Sequence, residues 1–287
     1  MASNNGMAGR EATVARGWVK AHRWLLLRRF GQLGVLALFL AGPAAGVWIV
    51  KGNLASSLTF GVLPLTDPLV LLQSLLAGHA PANTALTGAA IVLGFYLLVG
   101  GRVYCSWVCP INIVTDAAAW VRAALNISGG VSFSPTTRYG LLAAILIVAY
   151  ATGAIVWEAI NPVSMVFRGL IFGMGLAWTV VGTIFLLDFL IGKRAWCGHL
   201  CPVGAFYGLL GRAAVVRVSA TRRGECNDCM DCFAVCPEPR VIGPALKGAA
   251  KGFGPVILAG ECTNCGRCID VCGRDVFRFS TRFQNAP

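Results

Sequence analysis

The sequence predicts an α-helical integral membrane protein followed by a small, cysteine-rich α+β domain. Three observations lead there. Of the 287 residues 56% are hydrophobic and only 13% charged, with a mean hydropathy of +0.70, which leaves too little charge for a soluble surface. Four uncharged apolar segments reach the roughly 20 residues that a spanning helix needs. Eight of the 12 cysteines fall into two short runs near the C-terminus, a pattern of metal ligation more than of a disulfide framework.

The segments are Gly31–Val50, Ala82–Gly101, Tyr139–Trp157 and Gly169–Leu187. No barrel-type alternation is present, and lipid leaves backbone groups unsatisfied outside a helix, so each reads as a transmembrane helix. Loop charge sets their direction. Residues 1–30 carry six Lys/Arg against one acid, the loop after the first segment only Lys51 and Asp67, the next Arg102, Arg122 and Arg138 against Asp116, and the next Glu158 and Arg168. The stretch from Lys193 onward holds 13 of the 24 basic residues. Basic excess alternates from loop to loop, which places both termini and the central loop in the cytoplasm of a cell inner membrane. The net charge of +12 is thereby accounted for without nucleic acid. The basic leader precedes a segment too long for a signal-peptide core, so it reads as an uncleaved anchor. Arg28-Arg29 also fits twin-arginine export loosely, but charges flanking a span produce such a pair anyway.

The chain repeats. Asp67-Pro68-Leu69-Val70 follows the first span and CSWVCP (Cys105 to Pro110) ends the second; Asn161-Pro162-Val163-Ser164 follows the third and CGHLCP (Cys197 to Pro202) ends the fourth. Both halves run in the same sense, as two parallel repeats about an axis along the membrane normal, with their cysteine pairs facing each other. TDPLVLLQSLL (Thr66–Leu76) is too short to span; it is expected as a short helix at the periplasmic face, capped by Asp67 with Pro68 in its first turn, and Asn161-Pro162 as the start of its counterpart.

From about Ser219 the composition turns polar. Cys226, Cys229, Cys232 and Cys236 obey C-x2-C-x2-C-x3-C-P, and Cys262, Cys265, Cys268 and Cys272 repeat it with Gly273 in place of proline. Zinc sites space their ligands in separated pairs, and disulfides are disfavoured in the cytoplasm. Three thiolates in one tight loop with the fourth from the other run fit a ferredoxin-like domain with two [4Fe–4S] clusters, one on Cys226, Cys229, Cys232 and Cys272, the other on Cys262, Cys265, Cys268 and Cys236. The expected domains are thus a basic segment 1–30, a four-helix membrane domain 31–218 and the two-cluster domain 219–287. The long connection Glu238–Glu261, with Lys247 and Lys251, is expected as a solvated loop or a docking surface.

Cys105 and Cys109, like Cys197 and Cys201, lie at i and i+4 on one helix face. The four are candidate ligands of a shared third iron–sulfur centre, with Trp107, Trp196 and His199 as its neighbours; the alternatives are redox-active thiols or a transient metal site, and inert buried cysteine. Intramembrane ionisable groups are the candidates for handling quinol protons, here Asp67, Glu158 and Asp188, each with a bland reading as cap or interfacial charge. His22 lies in the leader and His79 and His199 fall on opposite faces, so paired haem ligation is not available.

HRWLLLRR (His22–Arg29), GPAAGVWI, PLTDPLVLLQSLLAGH (Pro64–His79), CSWVCP, WEAINPVS (Trp157–Ser164), WCGHLCPVGAFYG (Trp196–Gly208) and CMDCFAVCPEP (Cys229–Pro239) occur in this order, and over nearly the whole length the chain resembles the NapH family, ferredoxin-type membrane subunits of periplasmic nitrate reductase systems. The resemblance implies a quinol dehydrogenase subunit that passes electrons from quinol towards the nitrate reductase together with NapG, a periplasmic four-cluster ferredoxin, beside the tetrahaem quinol oxidase NapC in some organisms. More distant relatives serve methylamine utilisation, nitrous oxide respiration and copper-oxidase assembly. The competing class is a redox assembly or maturation factor that delivers electrons to thiols or a metal centre of a partner.

Overall fold

The computed structural model describes residues 8–127, 129–131, 134–173 and 175–284. Two short helices, α1 (Arg10–Arg16) and α2 (Trp18–Ala21), lead into α3 (Arg23–Ala45). A three-stranded antiparallel meander follows, β1 (Val50–Gly52), β2 (Ser56–Thr59) and β3 (Leu63–Thr66), then α4 (Pro68–Leu76), α5 (Asn83–Val99) and α6 (Ile111–Ala124). The second half holds α7 (Thr137–Thr152), α8 (Val156–Ile160), α9 (Pro162–Phe172), α10 (Gly175–Leu186) and α11 (Pro202–Gly211). The cysteine-rich domain comprises β4 (Val216–Ser219), α12 (Asp231–Val235), α13 (Ile242–Lys247), α14 (Arg267–Val271) and β5 (Arg278–Thr281), with β4 antiparallel to β5.

Each expected span is occupied by a helix, but the lengths differ from expectation. Among the described residues only α3, of 23 residues, is long and apolar enough to cross a membrane alone; α5 has 17 residues, α7 has 16, and Ala177–Ile191 is likewise apolar but short. The causes are local. Arg23–Phe30 is helical and extends α3 towards the N-terminus, while Gly46 and Gly153 adopt left-handed conformations that close α3 and α7. Gly173, also left-handed, ends α9 inside the expected fourth span, so that stretch is divided between α9 and α10.

The repeat is carried into three dimensions. Asp67 caps α4 by accepting the Leu69 N–H at 2.9 Å, and Asn161 caps α9 by accepting the Val163 N–H at 3.1 Å, each with proline at the first helical position. Contacts come in matched pairs: α4 packs on α5 as α9 does on α10, and α6 packs on α10 as α11 does on α5. Similarly α3 packs on the turn Tyr104–Val108, and α7 on the turn Trp196–Leu200. The helix that follows each CxxxCP motif therefore leaves its own half and packs on the span of the other.

The basic segment does not stand apart. Gly9 N donates to Asp231 at 2.8 Å, Arg16 binds Asp275 at 2.6 Å, and Trp24 N and Leu25 N both donate to Asp270. The two ends of the chain thus meet at one end of the helical domain. The strand β4 already begins at Val216, just ahead of the compositional change at Ser219. The connection Glu238–Glu261 is folded, not a solvated loop: Ile242, Ala245 and Leu246 of α13 enter the core of the domain, and Lys247 pairs with Asp228 at 2.9 Å.

Replacing the cap residue in Asn161→Ala is expected to cost about 1 kcal/mol. A lowered thermal midpoint with unchanged iron content checks it.

Candidate iron–sulfur centres and the interface between them

Both cysteine runs fold alike. The residue before the second cysteine has positive φ in each (Asp228, 56°; Asn264, 46°), and so has the residue after it (Met230, 66°; Gly266, 72°). These left-handed residues curl the loop so that three cysteines point inward, and Asn and Asp tolerate the strain better than other side chains. Helices α12 and α14 then carry the third cysteine of each run and end directly before the fourth. One helical turn separates those two sulfurs into different cavities. Cys226, Cys229, Cys232 and Cys272 line one, and Cys236, Cys262, Cys265 and Cys268 line the other.

The two cavities differ in surroundings. Cys229 is exposed, whereas Cys265 and Cys268 are buried against the helical domain. Burial pushes the Cys268 thiol well up, reinforced by Cys265 and Cys236. Burial acts on Cys265 in the same sense, but the Arg267 and Arg28 guanidiniums outweigh it and hold that thiol below its ordinary value. This donor set of soft sulfurs with cationic neighbours fits an anionic iron–sulfur cluster.

The two CxxxCP motifs are superimposable in their bonding. In each, a single wide turn is closed by an i→i−5 hydrogen bond, Cys109 N to Tyr104 O at 3.0 Å and Cys201 N to Trp196 O at 2.9 Å. Such π-type turns are uncommon and concentrate at functional sites. Cys109 and Cys201 then leave the helix in extended conformation, and the following prolines open α6 and α11. Their sulfurs sit over the new N-termini, where Ile111 and Asn112 N–H face Cys109 and Val203 and Gly204 N–H face Cys201. The four thiols act electrostatically on one another: Cys109 on Cys201, and Cys197 with Cys201, Cys109 and Cys105. Among the described residues no three His, Cys, Asp or Glu close to the spacing of a single metal ion. A cluster places its own irons and sulfides between the ligand sulfurs, which then stand farther apart than around one ion.

The other candidates are placed as follows. Asp67 is not at a far surface; it is 7% exposed and accepts from Tyr207 Oη at 3.3 Å. Tyr207 stacks on Tyr104 with centroids 5.2 Å apart, and Tyr104 adjoins Cys105. A buried aromatic group, completed by Tyr96, thus connects Asp67 to the thiols. Asp188 is buried and accepts the Trp196 N–H at 2.9 Å, so it braces the second CxxxCP turn. Glu158 accepts from Asn161 at 3.4 Å beside the α9 cap. Trp196 packs near Cys109, but Trp107 is turned to the cysteine-rich domain, and His199 lines a cavity with Lys193 and Arg194.

The CSWVCP turn is seated directly on the Cys262–Cys265 loop. Ser106 Oγ donates to Thr263 O at 2.8 Å, Trp107 Nε1 to Asn264 O at 3.1 Å, and Asn264 Nδ2 to Val99 O at 3.0 Å. Arg102 binds Glu238 at 2.8 Å, Glu261 O at 3.0 Å and Cys197 O at 3.0 Å. It also reaches the Cys105 thiol. Arg138 binds the same Glu238 oxygen at 2.6 Å and Gly198 O at 3.0 Å. Burial acts to raise the Glu238 carboxyl, but Arg102 and Arg138 outweigh it and hold the group below its ordinary range. On the other side of the interface Asp116 is shared by Arg29, Arg194 and Arg267. Sequence reasoning missed both carboxylates. The arginines were read as topology charges, and only the position of Glu238 beside Cys236-Pro237 hinted at a role.

Fold and site together define an iron–sulfur protein of the ferredoxin type, joined to a helical domain that carries its own cysteines. Residues 82–128 and 166–221 match the 4Fe-4S binding domain family, and residues 225–276 the 4Fe-4S dicluster domain family. The first match covers one CxxxCP motif in each segment. The chain is 53% identical to the methylamine utilization ferredoxin-type protein MauN of Methylorubrum extorquens, over 95% of this chain and 94% of that protein. It is 55% identical to MauN of Paracoccus denitrificans, over 95% of each. With the ferredoxin-type protein NapH of Escherichia coli it shares 49% identity over 99% of both chains. No solved structure matches. The chain belongs to the family of ferredoxin-type proteins that includes NapH and MauN.

Glu238→Ala leaves Arg102 buried without its carboxylate partner and Arg138 with only Glu261 at 3.8 Å, and is expected to cost about 3–5 kcal/mol. The readouts are a lower thermal midpoint and faster proteolysis between the two domains. Because the folded carboxyl lies below its ordinary value, its contribution is complete above the usual carboxylate range and is lost as pH falls through the folded value. Glu238→Gln removes that acid dependence, so wild type and variant converge at low pH.

Proposed function

We propose that the protein is a multi-pass inner-membrane electron carrier that passes electrons from the quinol pool towards a periplasmic nitrate reductase. The observation that carries this reading is the seating of the CSWVCP turn on the Cys262–Cys265 loop, which puts the four-cysteine convergence against the inner cavity of the cysteine-rich domain. Cys226, Cys229, Cys232 and Cys272 would hold one [4Fe–4S] cluster and Cys236, Cys262, Cys265 and Cys268 a second, with Cys105, Cys109, Cys197 and Cys201 holding a third centre. Each bound cluster supplies a one-electron acceptor. Arg102 fixes the spacing of the inner two by bonding to both loops.

Four crossings are supported by large apolar side chains exposed on every long helix, among them Phe30, Phe95, Ile147 and Trp178. The alternation of basic loops favours a cytoplasmic location for both termini and the cysteine-rich domain. Quinol oxidation releases two protons as well as two electrons, and Asp67 is the carboxylate best placed to receive a proton, connected to the thiols through Tyr207 and Tyr104. In this reading its partners are a periplasmic ferredoxin of the NapG type and, in some organisms, NapC, as the resemblance to the NapH family implies.

A second reading has a specific observation behind it: identity to the MauN proteins, 53% and 55%, exceeds the 49% to NapH. In that reading the same relay serves methylamine utilization. Deleting the gene separates the two, by loss of growth on nitrate or on methylamine.

Anaerobically purified protein is expected to carry about eight irons if the C-terminal clusters are alone and about twelve with a third centre of the same kind. Cys105→Ser or Cys197→Ser is expected to remove the excess and its paramagnetic signal while leaving the other clusters. Addition of quinol with the partner ferredoxin is expected to reduce the clusters; clusters that stay oxidised sink the dehydrogenase reading and favour a maturation role.

A further inference from the structure

At the junction of α2, α3, α6 and α14 lies a cavity whose walls carry six cations, Arg28, Arg29, Arg122, Lys193, Arg194 and Arg267, against two carboxylates, Asp116 and Asp270. Most of these groups are already engaged. Asp116 takes Arg29, Arg194 and Arg267, and the Asp270 oxygens accept Trp24 N at 3.1 Å and Leu25 N at 2.9 Å. Arg122 bonds Phe189 O and Gly129 O, and Lys193 bonds Ala234 O at 2.7 Å. Arg28 differs. It is 1% exposed, and its Nε and Nη1 have no hydrogen-bond partner among the described residues.

Buried guanidinium nitrogens without acceptors are costly, and Asp116 and the Cys265 thiol are opposed at Arg28 by Arg267 and Arg29, so the cavity as a whole keeps six cations against two carboxylates. The missing component is an anion with several oxygens, which guanidinium groups bind in pairs. The rim adds a second requirement. Trp120 (72% exposed) and Ile127 (40% exposed) stand beside the cations, with Leu25 and Val131 on the same walls. An inorganic phosphate has no use for this apolar lip; the glycerol and acyl esters of a phospholipid do.

We propose that this cavity binds the phosphodiester headgroup of an anionic phospholipid, with Arg28 as the principal donor and Trp120 against the lipid backbone. Basic pockets between helices at the cytoplasmic face of a membrane recognise such headgroups. The inference rests on the reading of the helical domain as membrane-spanning, since only then does the cavity open where lipid headgroups lie. The lipid would tie the start of α3 to α14 and so hold the cysteine-rich domain against the membrane end of the bundle.

The test uses delipidated full-length holoprotein, titrated with phosphatidylglycerol, phosphatidylcholine and inorganic phosphate while thermal stability and retained lipid are followed. Phosphatidylglycerol is expected to act at concentrations about tenfold lower than phosphatidylcholine, and Arg28→Gln to remove that preference, the loss expected for one charged hydrogen bond. Trp120→Ala, at an exposed position, is expected to weaken the phospholipid without affecting inorganic phosphate. An unchanged far-ultraviolet circular dichroism spectrum verifies the fold of both variants. Equal response to the two lipids overturns the proposal. So does inorganic phosphate acting as well as phosphatidylglycerol with Trp120→Ala silent, which would make this a soluble-anion site. An Arg28→Gln protein that keeps its lipid preference but shifts a cluster potential would assign Arg28 to the cluster instead. Protein released from membranes without detergent would remove the membrane reading itself; protein that needs detergent but shows no preference removes only the lipid site.

Discussion

The buried Glu238 carboxylate, clamped between Arg102 and Arg138, is the interaction on which the arrangement of the two domains depends. Three charges taken out of water would each carry a large desolvation penalty alone, and they persist because both guanidiniums donate to the one carboxylate and also to backbone carbonyls. Arg102 and Arg138 stand at the ends of two different helices of the helical domain, and both also hold carbonyls of the second CxxxCP turn, Cys197 O and Gly198 O. Glu238 follows Cys236 on the wall of the inner cysteine cavity. One carboxylate therefore fixes the spacing between the thiols of the helical domain and those of the C-terminal domain, the quantity on which electron exchange between them depends.

Around this clamp the repeat brings the two CxxxCP motifs together. Each CxxxCP motif supplies two thiols and a proline that starts a new helix, and that helix packs on the opposite half. Neither half is able to bury its own cysteines: the apolar cluster around Cys105, Cys109 and Cys201 draws on Leu69 and Tyr96 from the first half and on Leu142 and Tyr207 from the second. The caps Asp67 and Asn161 show the same duplication with different chemistry. Asp67 accepts a tyrosine hydroxyl in addition to its backbone donor, whereas Asn161 reaches back to Glu158. The halves share a scaffold and differ at the cap, a carboxylate in one and an amide in the other.

Charge is so sparse in this chain that the arginines serve twice. Those at the cysteine-bearing ends of the helices fit the loop bias that orients membrane proteins, yet Arg28, Arg102, Arg138 and Arg194 are buried. They compensate carboxylates of the interface and, near Cys265, the negative charge that a thiolate site accumulates. The N-terminal segment joins the same network through Arg16 and Arg29. A substitution that is neutral for topology, such as lysine for arginine, is therefore not neutral here, since only the planar fork bridges two acceptors.

The sequence by itself determined the features that local chemistry controls. The apolar runs, the Asp-Pro and Asn-Pro helix starts, the duplicated CxxxCP motifs and the spacing of the eight C-terminal cysteines all depend on neighbours within a few residues, and periodicity or residue type is enough to read them. Tertiary structure alone decided what depends on meetings between distant segments. Asp67 lies inside and not at a surface because Tyr207, from the other half of the chain, reaches it. Glu238 and Asp116 looked like ordinary acids, since nothing adjacent in sequence shows that arginines 136 and 100 residues away, in the case of Glu238, will close on it. A charge announces its sign in the sequence, but its partner is chosen by the fold.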